Sequence, residues 1–198
     1  MDRGIADARR ICLYSASYAA YSALMGAARE PGLYRCAAGY VGVYDLEMMP
    51  AESVRYARWA GKRARDWVGG DPQALRTVSP VHLAGQITLP VFLAAGGEEA
   101  TAPVGHIEAM EAALRKARTP VSSLYYRNEG HGFSLPENQR AYCRASCWLS
   151  CPRIWEAPTL RPERPVGSAP RCADTTTAPQ GAVVVGTGIA QVSRGSGA

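Results

Sequence analysis

Lysine is almost missing from this 198-residue chain: of its 22 basic residues, only Lys62 and Lys116 are lysines. The arginine bias reads as base composition. No basic stripe with interleaved aromatics appears, so the net charge of +5 does not mark a nucleic-acid surface, and no nucleic-acid partner is expected. No window approaches the roughly 20 continuous apolar residues of a membrane span, so no membrane partner is expected either. The opening MDRGIADARR has no apolar h-region and does not read as a secretory signal, which predicts a cytoplasmic chain. There is no CxxC pair. Cys143, Cys147 and Cys151 would share one helix face, but no nearby histidine completes a thiolate site. Gly186 and Gly188 do not make a GxGxxG fingerprint. No metal and no cofactor is therefore expected. Cys12 and Cys36 sit in apolar stretches and read as small buried hydrophobes.

What is present is an ordinary globular balance, 47% hydrophobic and 20% charged, which excludes disorder of the whole chain. Strand and helix signals alternate over the first 150 residues. Residues 10–15 (RICLYS) suit a buried strand, and 17–30 a helix stopped by Pro31-Gly32. A second strand is expected at 36–43, and one or two exposed helices at 51–68. The strand at 89–95 is followed by an amphipathic helix at 104–117, with Ile107, Met110 and Leu114 on one face. A strand at 121–127 and a helix at 137–149 complete the pattern. This predicts an α/β fold, a mostly parallel sheet with flanking helices. Residues 1–149 are assigned to that domain and 150–198 to a disordered tail rich in Pro, Arg, Thr and Gly. Within the tail, residues 181–190 (GAVVVGTGIA) could make one strand or simply be sticky.

Three segments carry chemistry. Ser17 stands at a turn between a strand and a helix, flanked two residues away by the small Ser15 and Ala19. That is the shape of a nucleophile elbow, in which crowding of strand and helix admits only small neighbours. The bland alternative is a helix cap. Glu98-Glu99 follow the glycine turn after the 89–95 strand, where an acid can orient a histidine. His131 lies between two glycines in EGHGF, after the last strand, and has little packing role. His82 and His106 read as plain surface residues. The chain order Ser, acid, His is one that such sheets use.

The segments SASYAAYSALMGAAREPGLYRCAAGYVGVYDL, DPQALRTVSPVHLAGQITLPVFLAAGGEEATAP and LYYRNEGHGF resemble the catalytic domain of the prolyl oligopeptidase family of serine peptidases. The likeness covers residues 4 to about 142 and looks closest to the dipeptidyl or acylaminoacyl peptidase branch. It implies the C-terminal part of an α/β-hydrolase domain. It implies a catalytic set of Ser17 as nucleophile, His131 as general base and acid, and Glu99 as the acid holding the imidazole. The backbone N–H of Tyr18 would be an oxyanion-hole donor. The substrate would be a peptide, cleaved to release short N-terminal pieces.

Departures from the family pattern are specific. The elbow reads SASYAAY where the family has GxSYGGY, so Ala19 and Ala20 add methyl groups. Glu99 stands where the family has aspartate, with Asp45 as a substitute acid. The family's first sheet strands and second oxyanion donor have no counterpart, which leaves a truncated sheet. The edge of the first strand would then be open and apolar, and self-association is expected through it. The resemblance fades after Tyr142. A silent fragment, an esterase-like hydrolase and a binding module stay open as alternatives. Tyr40, Val41 and Tyr44 are candidates for pocket lining or packing, and Trp59 and Trp67 for helix packing.

Overall fold

A computed structural model describes residue 7 and residues 9–49, 65–146 and 183–186. Its frame is a sheet in the order β4-β3-β2-β1-β5, every described pairing parallel. The strands are β1 (Ile11–Ala16), β2 (Cys36–Tyr40), β3 (Val91–Gly96), β4 (Val121–Tyr126) and β5 (Val183–Gly186). The helices are α1 (Tyr18–Arg29), α2 (Pro72–Thr77), α3 (Gly105–Lys116) and α4 (Pro136–Ser146), with a 3-10 helix at Pro80–Gln86.

Burial explains why the strands form. Every residue of β3 is buried, and its side chains alternate between two clusters. Val91, Leu93 and Ala95 face Leu24, Ile107, Met110 and Leu114 of α1 and α3. Phe92 and Ala94 face the other way, toward Phe133 and Tyr142. A strand covered on both faces reads as a continuous apolar run, as LPVFLAA does. Leu24, Leu93, Ile107 and Leu114 are fully buried, each contributing about 1.5–3 kcal/mol by removal from water.

α1 is built from Ala, Leu and Met, strong helix formers, and stops before Pro31. The second strand ends at Tyr40, short of the expected Val43, because Val41 takes φ 44° and turns the chain. Such a backbone is rare for a β-branched residue. The expected helix at 137–149 begins one residue earlier, at Pro136, and residues 147–149 lie outside the described residues. The expected helices at 51–68 fall mostly outside them too; residues 65–68 are helical. α2 was not anticipated, although Asp71-Pro72 is a start signal. The Asp71 carboxylate accepts the Gln73 N–H at 3.0 Å, and Pro72 occupies the first turn.

Two expectations need correction. Cys12 and Cys36 are buried, but they are not separate hydrophobes. They are register partners on β1 and β2, with Cα atoms 4.7 Å apart, and form a disulfide. The edge of β1 is not open: Ile11–Tyr14 pair with Val183–Gly186. The strand alternative for the 181–190 segment is the one realised in its described residues. The boundary at residue 150 lies outside them.

Candidate active site

Ser17 follows the last residue of β1 and precedes the first of α1. Its backbone has φ 56° and ψ −138°, a conformation that costs a non-glycine residue on the order of 1–3 kcal/mol. The turn is held because the Ser17 N–H donates to the Tyr40 carbonyl at 2.8 Å. The serine does not cap α1, since its side chain makes no cap hydrogen bond. Its Oγ lies instead 2.9 Å from His131 Nε2. The elbow's extra methyl at Ala20 is fully buried, and the space comes from Gly42, where a Cβ would stand 2.6 Å from the Ala20 Cβ.

Glu99 reaches the same place from the turn after β3. Its side chain is fully buried, and one oxygen lies 2.7 Å from His131 Nδ1. The other oxygen accepts the N–H groups of Thr101 at 2.6 Å and Ala102 at 3.0 Å. The carboxylate is therefore fixed at both oxygens. Gly96 permits this approach, since a Cβ there would run into the Glu129 carbonyl of the loop carrying His131. Glu98 N–H donates to that carbonyl at 2.9 Å and ties the two loops together. Ser17, Glu99 and His131 thus meet at the carboxyl ends of β1, β3 and β4, where ligands bind in open α/β sheets. The imidazole side chain keeps 34% exposure, enough to face a substrate.

Other candidates fall elsewhere. Asp45 does not reach His131. One of its oxygens accepts the Glu47 N–H at 2.9 Å, and the other lies 3.7 Å from His82 Nε2. Asp45, Glu47 and His82 bring ligand atoms within 4.8 Å of one another. The Arg76 guanidinium already sits on both Glu47 oxygens, at 2.8 and 3.3 Å, so the group reads as an ion-pair cluster. His106 is not a surface residue. It is 1% exposed, and its Nδ1 accepts from the Tyr44 and Asp45 N–H groups at 3.4 and 3.3 Å. Tyr44 is fully buried and packs in the core, while Trp67 is 70% exposed rather than buried against a helix. Trp59 lies outside the described residues.

Two residues support the histidine: Tyr40, read from the sequence only as pocket lining or packing, and Glu129, which sequence reasoning passed over. The Tyr40 hydroxyl accepts the Phe133 N–H. Burial pushes its pKa up to about 12, so it stays protonated near neutrality. Glu129 is 1% exposed, and its carboxylate accepts from Ser134 N at 2.6 Å, Ser134 Oγ at 3.0 Å, Leu135 N at 3.0 Å and Asn138 Nδ2 at 2.7 Å. Burial alone would raise its pKa; these donors outweigh burial and hold it below the ordinary 4.5. The signal in the sequence was a glutamate five residues before Ser134-Leu135-Pro136, a helix start that favours negative charge.

Comparison with known proteins bears on the family and the fold. The model of the prolyl oligopeptidase family matches residues 1–148. Dipeptidyl peptidase family member 6 of Caenorhabditis elegans is 28% identical over 146 residues, covering 70% of this chain and 20% of that protein. Dipeptidyl aminopeptidase BIII of Pseudoxanthomonas mexicana is 26% identical over 152 residues, covering 71% and 21% respectively. Among solved structures, a puromycin-hydrolysing peptidase of Mycobacterium tuberculosis superposes with a TM-score of 0.66 at 23% identity, over 75% of this chain and 22% of that one. The fold is that of the α/β-hydrolase peptidases. The chain spans about a fifth of the length of the curated relatives it matches. With the family match covering most of its length, the chain belongs to the prolyl oligopeptidase family.

Proposed function

We propose that this chain is a serine hydrolase acting on short peptides, with Ser17 as nucleophile, His131 as general base and Glu99 as the acid that orients it. The observation that carries the reading is the 2.9 Å approach of Ser17 Oγ to His131 Nε2 from a strained turn. Oγ attacks the substrate carbonyl carbon while its proton passes to Nε2. The carbonyl oxygen gains the charge, and the Tyr18 N–H, at the first position of α1, donates to it. Such a donor is worth on the order of 3 kcal/mol of barrier. The imidazolium then returns the proton to the leaving amine, and water attacks the acyl-serine in the same way. Glu99 stabilises the imidazolium and holds the tautomer with Nε2 free to accept. The names of the relatives, dipeptidyl peptidases, favour removal of N-terminal pieces.

The test is labelling of the purified chain with a fluorophosphonate probe beside Ser17→Ala. Labelling that vanishes in the variant supports the reading. A folded, soluble sample that stays unlabelled refutes it and leaves the silent alternative standing. Among the described residues β5 ends the sheet, so its pairing with β1 moves the edge outward rather than removing it. Self-association through that edge is the expected outcome, and a clean, stable monomer in size-exclusion chromatography would contradict it.

A further inference from the structure

The loop from Glu129 to Phe133 has to present His131 to Ser17, yet glycines at 130 and 132 leave it little stiffness of its own. Its position is set from outside. On one flank the Tyr40 hydroxyl accepts the N–H of Phe133, two residues after His131. The Tyr40 ring meets Phe133 edge-on with centroids 4.9 Å apart and stacks on Tyr142 at 4.6 Å. The carbonyl of the same Tyr40 accepts the Ser17 N–H at 2.8 Å. One residue therefore holds the nucleophile by its main chain and the base loop by its side chain. On the other flank the buried Glu129 carboxylate fastens the loop to Ser134, Leu135 and Asn138 at the start of α4.

We propose that Tyr40 is the positioning residue that sets the distance between Ser17 and His131, with Glu129 anchoring the opposite flank of the base loop. Neither side chain touches the reacting atoms. Their work is to keep Nε2 within hydrogen-bonding reach of Oγ, because a misplacement of about 1 Å can cost about 100-fold in rate. This rests on the reading of Ser17 and His131 as nucleophile and base.

Tyr40→Phe isolates the hydroxyl, since the ring and its stacking are kept and only the acceptor for the Phe133 N–H is lost. The expected result is a fall of about 10- to 100-fold in fluorophosphonate labelling rate and in kcat for a p-nitrophenyl ester, with KM unchanged. A second readout needs no turnover. The Nδ1 proton of His131, held by Glu99, should shift or broaden in the proton NMR spectrum of Tyr40→Phe. Glu129→Gln, which places an N–H₂ against donors, should move the same signal if Tyr40→Phe fails to fold. Labelling and kcat within twofold of wild type, with an unchanged His131 signal, would overturn the proposal. If wild type itself does not label, the functional reading falls, and the NMR comparison alone decides whether Tyr40 positions His131.

Discussion

Replacing Glu99 by glutamine should silence the proposed chemistry without disturbing the fold, and the structure says why. One Glu99 oxygen accepts two backbone N–H groups, from Thr101 at 2.6 Å and Ala102 at 3.0 Å. In Glu99→Gln the amide oxygen must take that position, since an N–H₂ there would face two donors. The N–H₂ is then turned onto His131 Nδ1, 2.7 Å away in the native chain. Nδ1 can meet it only as an acceptor, so the ring proton moves to Nε2. Nε2 would then donate to Ser17 Oγ and could no longer take its proton. Holding the wrong tautomer in an otherwise intact triad costs about 10⁴-fold in kcat, about 5 kcal/mol of barrier. The assay is ester hydrolysis and fluorophosphonate labelling, with thermal unfolding as a control for folding. Nitrogen NMR of His131 reads the tautomer directly: Nε2 unprotonated in wild type, Nδ1 unprotonated in the variant. A labelling rate within tenfold of wild type, or an unchanged tautomer, would refute the reasoning.

Three further outcomes follow from the packing and the charges. Arg118 sits at φ 61° in the turn that ends α3, with its N–H on Arg115 O and the Thr119 N–H on Leu114 O. That position favours glycine, so Arg118→Gly should stabilise by roughly 0.5–1 kcal/mol and raise Tm by about 1–4 °C; a lower Tm would count against it. Gly42→Ala should destabilise by about 1–3 kcal/mol in urea unfolding, because its methyl meets the buried Ala20 and Tyr44, and an unchanged midpoint would sink the packing argument. Glu129 is held below the ordinary 4.5, so its contribution to stability is present above that value and lost as pH falls through the lower folded value. Wild type should therefore lose stability more steeply below pH 4.5 than Glu129→Gln, and parallel unfolding curves from pH 6 to 3 would contradict the assignment.

The alternation of strand and helix was legible because each period follows from burial. The run LPVFLAA is apolar throughout because β3 is covered on both faces, and Ile107, Met110 and Leu114 recur at helical spacing because α3 covers one of them. What the sequence did not show depends on register and on long-range contacts. Cys12 and Cys36 are 24 residues apart, and only the pairing of β1 with β2 makes them neighbours. Pairing of residues 183–186 with β1 is likewise a matter of distant chain meeting an edge. The end of β2 was misplaced because a valine at positive φ violates local preference, and no pattern rule anticipates strain.

The site shows the same division between local and distant information. Ser17, Glu99 and His131 could be singled out as candidates that meet because each follows a strand signal in a short turn, and a parallel sheet brings all such turns to one end. Their supports could not, because Tyr40 reaches Phe133 across 93 residues and Glu129 binds groups at the start of the following helix. The elbow makes the point most clearly. Alanine at positions 19 and 20 looked like a defect when judged against a rule stated for the elbow alone. The physical requirement is on the space shared by α1 and the chain after β2. Ala20 fills part of that space, and Gly42, 22 residues later, leaves it free. A rule about small residues at an elbow is thus a rule about a contact, and the glycine that satisfies it can sit on either side.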